Sequence, residues 1–211
     1  MEGSFELDLN TVTDGEIGGH AKGMVNVPLG NIAALRLVGY TNQYPGFINA
    51  RTDSGTDDDV NDGDNNGIRA SLKIQPSDRL SITPRIIYQK IETDGFNRQE
   101  VFNLYANPFT TTRPAIQLGE REQFLLRDEG FEDEILLTDV VIEASFGLFD
   151  VTSVTSYTER DLYVSRDASA LTGSVSVDLG YPDAAVLTPS NLIDTTERRT
   201  NYPGSPHQFQ W

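Results

Sequence analysis

Apolar and polar residues alternate along several stretches of this chain. The alternation has no exception in Phe5–Asn10 and in Ile68–Gln75, and a single exception, Ile87, in Leu80–Gln89. Successive side chains of a β-strand point to opposite faces of the sheet, so each stretch predicts a strand with one apolar and one polar face. These stretches run for about 8 to 12 residues, which is longer than the usual soluble strand and close to the length that crosses a bilayer obliquely. Residues 150–160 alternate poorly, and the sequence assigns no faces there.

The apolar face of these strands is the one that a membrane would contact. Charged side chains stand at mid-strand on the other face, where they suit a watery lumen and would be expensive against lipid. We predict that the lumen-facing residues include Arg36, Arg69, Lys73, Arg85, Asp139 and Glu143. The predicted membrane-facing residues are Phe5, Leu7, Leu9, Val25, Val27, Leu35, Leu37, Ile68, Ala70, Leu72, Ile74, Leu80, Ile82, Ile86, Tyr88, Val140 and Ile142.

Short turns and long loops separate the strands in a regular order. The chain reverses within a few residues at Gly30-Asn31, Ser77-Asp78 and Gly147-Leu148, and long connections are predicted at about 42–66, 92–134 and 161–204. Compact soluble domains rarely carry such loops, whereas outer-membrane barrels have short periplasmic turns and long extracellular loops. The pattern therefore predicts an all-β chain whose antiparallel meander forms seven strands, with an eighth near 207–211, of a transmembrane β-barrel. It places the long loops outside the cell.

The charge of the chain resides mainly in those loops. The formal net charge is −16, and the three loops hold 22 of the 32 acidic residues but only 8 of the 16 basic ones. An acidic balance without clustered Lys and Arg argues against a nucleic-acid partner. Cysteine is absent, which excludes a disulfide framework and thiolate metal sites. The acidic loops are open to two interpretations, solubility or a specific electrostatic role.

Several stretches resemble the early barrel of TonB-dependent outer-membrane receptors, in particular the iron-complex or siderophore receptor group. The resemblance covers nearly the whole chain in collinear order, and these runs carry it: Lys22–Leu29, Ala34–Tyr40, Gly46–Asn49, Asp59–Asp64, Gly67–Leu72, Pro76–Pro84 and Thr152–Tyr157. The resemblance implies a segment of a 22-stranded barrel that an N-terminal plug closes in the parent protein. Residues 1–211 contain no stretch resembling the plug or a TonB box, so we expect a fragment of the barrel domain.

The same resemblance implies a function. The parent would lie in the bacterial outer membrane and take up a scarce nutrient, a ferric siderophore or similar iron complex, with energy relayed by TonB. Its partners would be outer-membrane lipid, the remainder of the barrel, the plug, the TonB complex through that plug, and the small-molecule nutrient. No cofactor is implied. The substrate itself is not readable from these residues.

Catalytic and metal-binding patterns are weak. The run Asp62–Gly67 matches the first half of a calcium loop, but Lys73 stands where the bidentate Glu belongs. The two histidines, His20 and His207, have no nucleophile motif beside them, so we expect neither an enzyme nor a metal site. Loop aromatics such as Phe47 and Phe124 either stack on a ligand or pack within the loops. The alternative to a barrel is a secreted antiparallel β-sandwich that binds carbohydrate or mediates calcium-dependent adhesion.

Overall fold

The fold consists of β-strands throughout the described part of the chain. The computed structural model describes residues 1–52, 54–99, 117–167 and 197–201. Within these ranges there are eleven strands and no helix: β1 Glu2–Thr11, β2 Ile17–Pro28, β3 Ala33–Tyr44, β4 Asn49–Arg51, β5 Thr56–Asp57, β6 Gly63–Ser77, β7 Leu80–Thr93, β8 Glu122–Phe124, β9 Gly130–Ser145, β10 Asp150–Ser165 and β11 Glu197–Asn201. The prediction of an all-β fold is confirmed.

Eight of these strands form one antiparallel sheet in chain order, β1-β2-β3-β6-β7-β9-β10-β11. The meander predicted from the sequence is therefore confirmed. Tight turns join β2 to β3, β6 to β7 and β9 to β10, and two of them use a glycine in the left-handed region, Gly30 at φ 77° and Gly147 at φ 86°. Glycine occupies this region without the steric penalty that a Cβ would bring. The antiparallel registers place all three turns at one end of the sheet.

The pairing register keeps the apolar positions aligned across the sheet. Leu37 of β3 lies opposite Val25 of β2 and Ala70 of β6, and Ala70 lies opposite Ile86 of β7. Directly opposed residues share a face, so the apolar side chains of neighbouring strands form one continuous surface. The register also assigns the strand whose faces the sequence left open: Val151 and Tyr157 of β10 lie on this apolar face.

No second layer covers that apolar face in the described part of the chain. Phe5, Leu7 and Leu9 expose 73%, 65% and 76% of their surface. The buried apolar residues among those described are Ile48, Ala50, Phe124 and Leu125, all outside the eight-stranded sheet. A soluble sheet buries at least one face. Within the described ranges the large sheet is therefore a single layer with an uncovered apolar side.

The strands extend further into the predicted loops than the sequence indicated. The loop predicted at 42–66 spans only 45–62, because β3 continues to Tyr44 and β6 begins at Gly63. Likewise β7 ends at Thr93, β9 begins at Gly130 and β10 continues to Ser165. Ladder hydrogen bonds join backbones and tolerate polar side chains, so a strand can outlast its apolar alternation. The eighth strand lies at Glu197–Asn201, whereas the predicted 207–211 falls outside the described residues.

Candidate functional site

The long connections meet at the end of the sheet opposite the tight turns, where they form a small second sheet. This sheet has the order β5-β4-β8, with β4 parallel to β8. The Asn49 amide donates to the Arg121 carbonyl over 2.9 Å, and the Leu125 amide donates to the Arg51 carbonyl over 2.9 Å. We call residues 45–62, 94–99 and 117–129 the loop layer. Two loops that are far apart in sequence are thus joined into one body.

A buried asparagine holds the first of these loops in place. The Asn61 side-chain oxygen accepts hydrogen bonds from the Phe47 and Ile48 amides at 2.8 and 2.7 Å. Its amide nitrogen donates to the Asn97 side-chain oxygen at 2.7 Å. Asn61 is 6% exposed. If its side chain were removed, water could not readily replace the acceptor that the Phe47 and Ile48 amides would lose. One side chain therefore fixes the shape of the loop and ties it to the segment after β7.

A buried carboxylate ties the other segments together. Glu129 Oε1 accepts hydrogen bonds from Arg98 Nη2 at 3.0 Å and from the Asp167 amide at 2.9 Å. Arg98 also donates to the Gln123 side-chain oxygen at 3.2 Å. A buried carboxylate is stable only with such partners. The contacts connect the segment after β7, the loop before β9 and the end of β10.

An acidic cleft opens in this layer. Its volume is about 650 Å³, and the single base among its lining residues is Arg127. Eight carboxylates line it: Glu16, Asp57, Asp58, Asp59, Asp62, Asp94, Asp128 and Glu129. Burial raises the pKa of Asp62, and the nearby Asp94 and Glu16 raise it further. Burial, then Glu16 and Asp58, raise the pKa of Asp59 in the same way. The cleft therefore presents concentrated negative charge.

The acidic cleft does not have the geometry of a metal site. In the ranges that the structure describes, no three His, Cys, Asp or Glu side chains converge so as to hold a metal ion. The calcium-like run 62–67 lies mostly within the extended strand β6. The arrangement instead supplies a diffuse negative potential, which attracts cations and repels anions without coordinating either.

The polar face of the large sheet carries all six predicted lumen residues. Arg85 donates to Asp139 through Nε at 2.6 Å and through Nη2 at 2.9 Å, which is the fork geometry of a strong ion pair. On the same face Arg160 donates to Asp133 at 2.7 and 2.6 Å. On this face His20 Nε2 lies 3.0 Å from Glu6 Oε1. The other histidine, His207, is outside the described residues. The sequence placed Arg85 and Asp139 on this face but did not pair them.

The apolar face carries all seventeen predicted membrane-facing residues, as the pairing registers require. On β7, β9 and β10 the edges of this apolar band are aromatic. Tyr88 and Tyr157 lie toward the loop layer, and a stacked pair of Phe146 and Phe149, with ring centres 5.1 Å apart, lies at the β9–β10 turn. That the face meets lipid stays a prediction.

The loop aromatics mostly pack within the protein. Phe124 is 5% exposed, the Arg121 guanidinium lies 5.7 Å from the Phe47 ring centre, and the Arg166 guanidinium lies 4.2 Å from that of Phe96. Sequence reasoning missed the small sheet, because strands of two or three residues show no alternation. Three further loop aromatics, Phe102, Tyr105 and Phe109, lie outside the described ranges.

Comparison with protein-family models, with curated proteins and with solved structures gives no match. The TonB-dependent receptor resemblance therefore stays a prediction. None of the described residues forms a helix long and apolar enough to span a bilayer.

Proposed function

We propose that the chain is part of the barrel of an outer-membrane receptor that takes up a scarce nutrient with TonB-supplied energy. The observation that carries the proposal is the apolar face, which no described residues cover and which is continuous over seven strands, with aromatic residues at its edges on β7, β9 and β10. Outer-membrane barrels have such a band, about 25 Å tall with aromatic girdles at both interfaces. A polar opposite face with paired charges fits the wall of a lumen.

The dimensions of the band support this proposal. Tyr88 lies opposite Leu136 on β9, ten residues before Phe146 at the turn. Ten residues of strand span about 33 Å, which a tilt of about 40° reduces to about 25 Å along the membrane normal. Tyr88 and the Phe146–Phe149 pair are therefore separated by about the height of an outer-membrane hydrocarbon layer, whereas Tyr157, opposite Thr138, lies two residues nearer the turn.

A soluble β-sandwich is the alternative from the sequence, and it would need a second sheet against the apolar face. The other sheet in the described ranges is β5-β4-β8, eight residues in all, and it lies at the loop end. Such a sheet is too small to cover seven strands. We therefore propose a membrane barrel and not a sandwich.

The loop layer supports a binding role at the extracellular mouth. An iron complex remains the proposed nutrient. The negative charge of the acidic cleft indicates which net charge that complex carries. A negatively charged ligand would be repelled by the eight carboxylates, whereas a neutral or cationic complex would not. We therefore expect a neutral or positively charged iron complex.

Two neighbouring valines of β9, near the middle of the apolar band, test the membrane assignment. Val140 lies on the apolar face and Val141 on the polar face, between Asp139 and Glu143. In the full-length protein folded into lipid vesicles, Val140→Arg should destabilise by about 2–4 kcal/mol, because the charge sits near the bilayer midplane. Val141→Arg should have a much smaller effect, since water and two carboxylates accommodate the charge. Urea titration of membrane folding measures both, and equal losses would refute the proposal.

A further inference from the structure

The acidic cleft contains a buried carboxylate oxygen that has no partner. Glu129 lines the cleft, and its side chain is buried. Its Oε1 accepts hydrogen bonds from Arg98 and from the Asp167 amide, and neither residue belongs to the cleft lining. Within the described residues Oε2 has no hydrogen-bond partner. Oε2 is therefore the oxygen that remains for an occupant of the cleft, and a buried oxygen without a donor lowers stability.

The other carboxylates of the cleft also lack positive partners. Seven of the eight form no ion pair within the described ranges. Arg127, the single base in the lining, already has an interaction of its own. The charged groups that raise the pKa of Asp59 and of Asp62 are all carboxylates. Like charges in one cleft repel one another, so a bound cation would stabilise the charged form of the cleft.

The eight carboxylates come from four segments that are distant in sequence. The β1–β2 loop supplies Glu16, the loop 45–62 supplies Asp57, Asp58, Asp59 and Asp62, the segment after β7 supplies Asp94, and the loop before β9 supplies Asp128 and Glu129. Repulsion between these segments opposes the assembly of the loop layer. An occupant with several positive charges would instead link all four segments.

The size and lining of the cleft indicate the chemistry of that occupant. A volume of about 650 Å³ suits a small organic molecule and exceeds what a single metal ion needs. An ammonium group donates three hydrogen bonds to separate acceptors and does not require the closed shell of oxygens that calcium requires. Val60, Leu125 and Leu126 give the lining an aliphatic part, against which methylene groups can pack. Protonated amines separated by methylene groups combine both properties.

We propose that the acidic cleft binds a linear polyamine, a chain of protonated amines separated by methylene groups. One ammonium donates to Glu129 Oε2, and the others lie beside carboxylates of the remaining segments. The methylene groups contact Val60 and the two leucines. The proposal depends on the loop layer alone and not on nutrient uptake or the membrane assignment, so either can fail without the other.

Isothermal titration calorimetry of spermidine into the 211-residue chain in non-ionic detergent tests this proposal. At about 0.1 M salt, where the Debye length is about 10 Å, spermidine should bind one saturable site. Glu129→Gln keeps the shape of the side chain and an oxygen for Arg98, but it removes the charge. It should weaken spermidine binding by about tenfold or more, because hydrogen bonds to a buried charged group are strong. Circular dichroism shows whether the variant keeps its strands.

Two exposed carboxylates provide a second variant and its matched control. Asp58 lines the cleft and makes no ion pair within the described ranges, so Asp58→Asn should leave the fold intact. It should weaken spermidine binding by about two- to fivefold, as expected for loss of one exposed charge contact. Glu120→Gln removes the same charge from the loop layer at a position outside the cleft lining, and it should change the affinity by less than about twofold. Equal losses in Asp58→Asn and Glu120→Gln would indicate general attraction and overturn the proposal.

A compact trication provides the ligand control. Hexamminecobalt(III) carries the same triple charge as spermidine and donates N–H groups, but it has no methylene groups. It should bind at least about fivefold more weakly, because burial of methylene groups adds affinity. Equal affinity of the two trications, or equal displacement of spermidine by magnesium at the same charge concentration, would assign the cleft to diffuse attraction of cations. Either result would overturn the proposal, as would the absence of saturable binding.

Discussion

At the scale of single residues, a glycine on the polar face makes room for an aromatic ring. A Cβ on Gly67 would lie 2.5 Å from Cε1 and 2.6 Å from Cζ of Tyr40, the residue opposite it on β3. The Tyr40 hydroxyl is 3.2 Å from the Asn65 side-chain oxygen and 3.0 Å from that of Gln89. The ring thus covers the glycine and carries a hydroxyl to the polar groups of β6 and β7.

Gly67→Ala should therefore push the Tyr40 ring aside and break its hydrogen bonds. We expect a loss of about 1–3 kcal/mol from overpacking of this kind. Gly23→Ala is the control, since a Cβ at Gly23 meets nothing within 4 Å, and alanine there should be neutral or slightly stabilising. Unfolding in urea with detergent measures both variants. Similar stabilities for the two would contradict this account of Tyr40.

The raised pKa of Asp59 in the acidic cleft predicts how the stability of the loop layer depends on pH. Because the folded-state pKa of Asp59 is raised, its protonated form is favoured in the folded loop. The contribution of Asp59 to the stability of the folded loop layer is therefore favourable at pH values below the unfolded-state pKa. This contribution is lost as pH rises through the folded-state pKa. Asp59→Asn should make the loop layer more resistant to proteolysis at pH 7, with little change at pH 3. Asparagine also accepts the left-handed φ of 56° at this position.

Glu122 is the contrasting case in the same layer. The Gly119 amide, at 2.6 Å, and then Arg51, at 2.9 Å, lower the pKa of its carboxylate. Its contribution is present above the unfolded-state pKa and disappears as pH falls through the folded-state pKa. Glu122→Gln should thus reduce protease resistance at pH 7, the direction opposite to Asp59→Asn. A shift in the same direction for both variants would contradict the assigned causes.

At the scale of elements, the loop layer and the large sheet have separate sources of stability. Hydrogen bonds accepted by Asn61 and Glu129, together with the buried Ile48 and Phe124, stabilise the loops, whereas ladder pairing stabilises the strands. Asn61→Leu leaves two amides without partners, and each unpaired amide should lower the stability of the loop layer by about 1–3 kcal/mol. Hydrogen exchange should then speed up in 45–62 and in 117–129 together, while β6 and β7 keep their protection.

A milder variant provides the comparison for that experiment. Asn49→Ala removes one acceptor, which binds the Asp59 amide at 3.0 Å, and should loosen the layer less than Asn61→Leu. If exchange rose in 45–62 alone, the parallel pairing of β4 with β8 would not be coupling the two loops.

The elements differ in how well the sequence predicted them. β6 and β7 were predictable because alternation and a tight turn are local signals. The ion pair of Arg85 with Asp139 was not predictable. A long connection precedes β9, so the sequence does not specify the register in which β9 pairs with β7. The site was predicted less well than the sheet: Asn61 and Glu129 look like ordinary loop residues, and only the folded chain brings them to buried positions.

At the scale of the whole molecule, the single-layer sheet predicts how the isolated chain behaves. Among the described residues its apolar face is exposed and no strand pairs with the outer edge of β1, and both features promote association. The 211-residue chain should aggregate in buffer and become monodisperse in detergent, as light scattering can show. A detergent-free monomer with a sharp melting transition would contradict the proposed function.

Opposite ends of the sheet give a second test at this scale. Single cysteines at Ser54 and Gly119 lie in the loop layer, and one at Ser77 lies at a tight turn. The chain contains no cysteine of its own, so labelling has no background from these residues. In intact cells that express the full-length protein, an impermeant maleimide should label the first two positions. Ser77→Cys should react only after the outer membrane is permeabilised, and the reverse pattern would invert the orientation.

The parallel contact between β4 and β8 also has a consequence for the order of folding. The hairpins of the large sheet close over turns of a few residues, whereas Arg51 and Glu122 meet across 71 positions of sequence. Closing a longer loop loses more chain entropy, and contacts between distant residues form slowly. The hairpins should therefore form first, and the loop layer should assemble last, once neighbouring strands have brought its segments within reach.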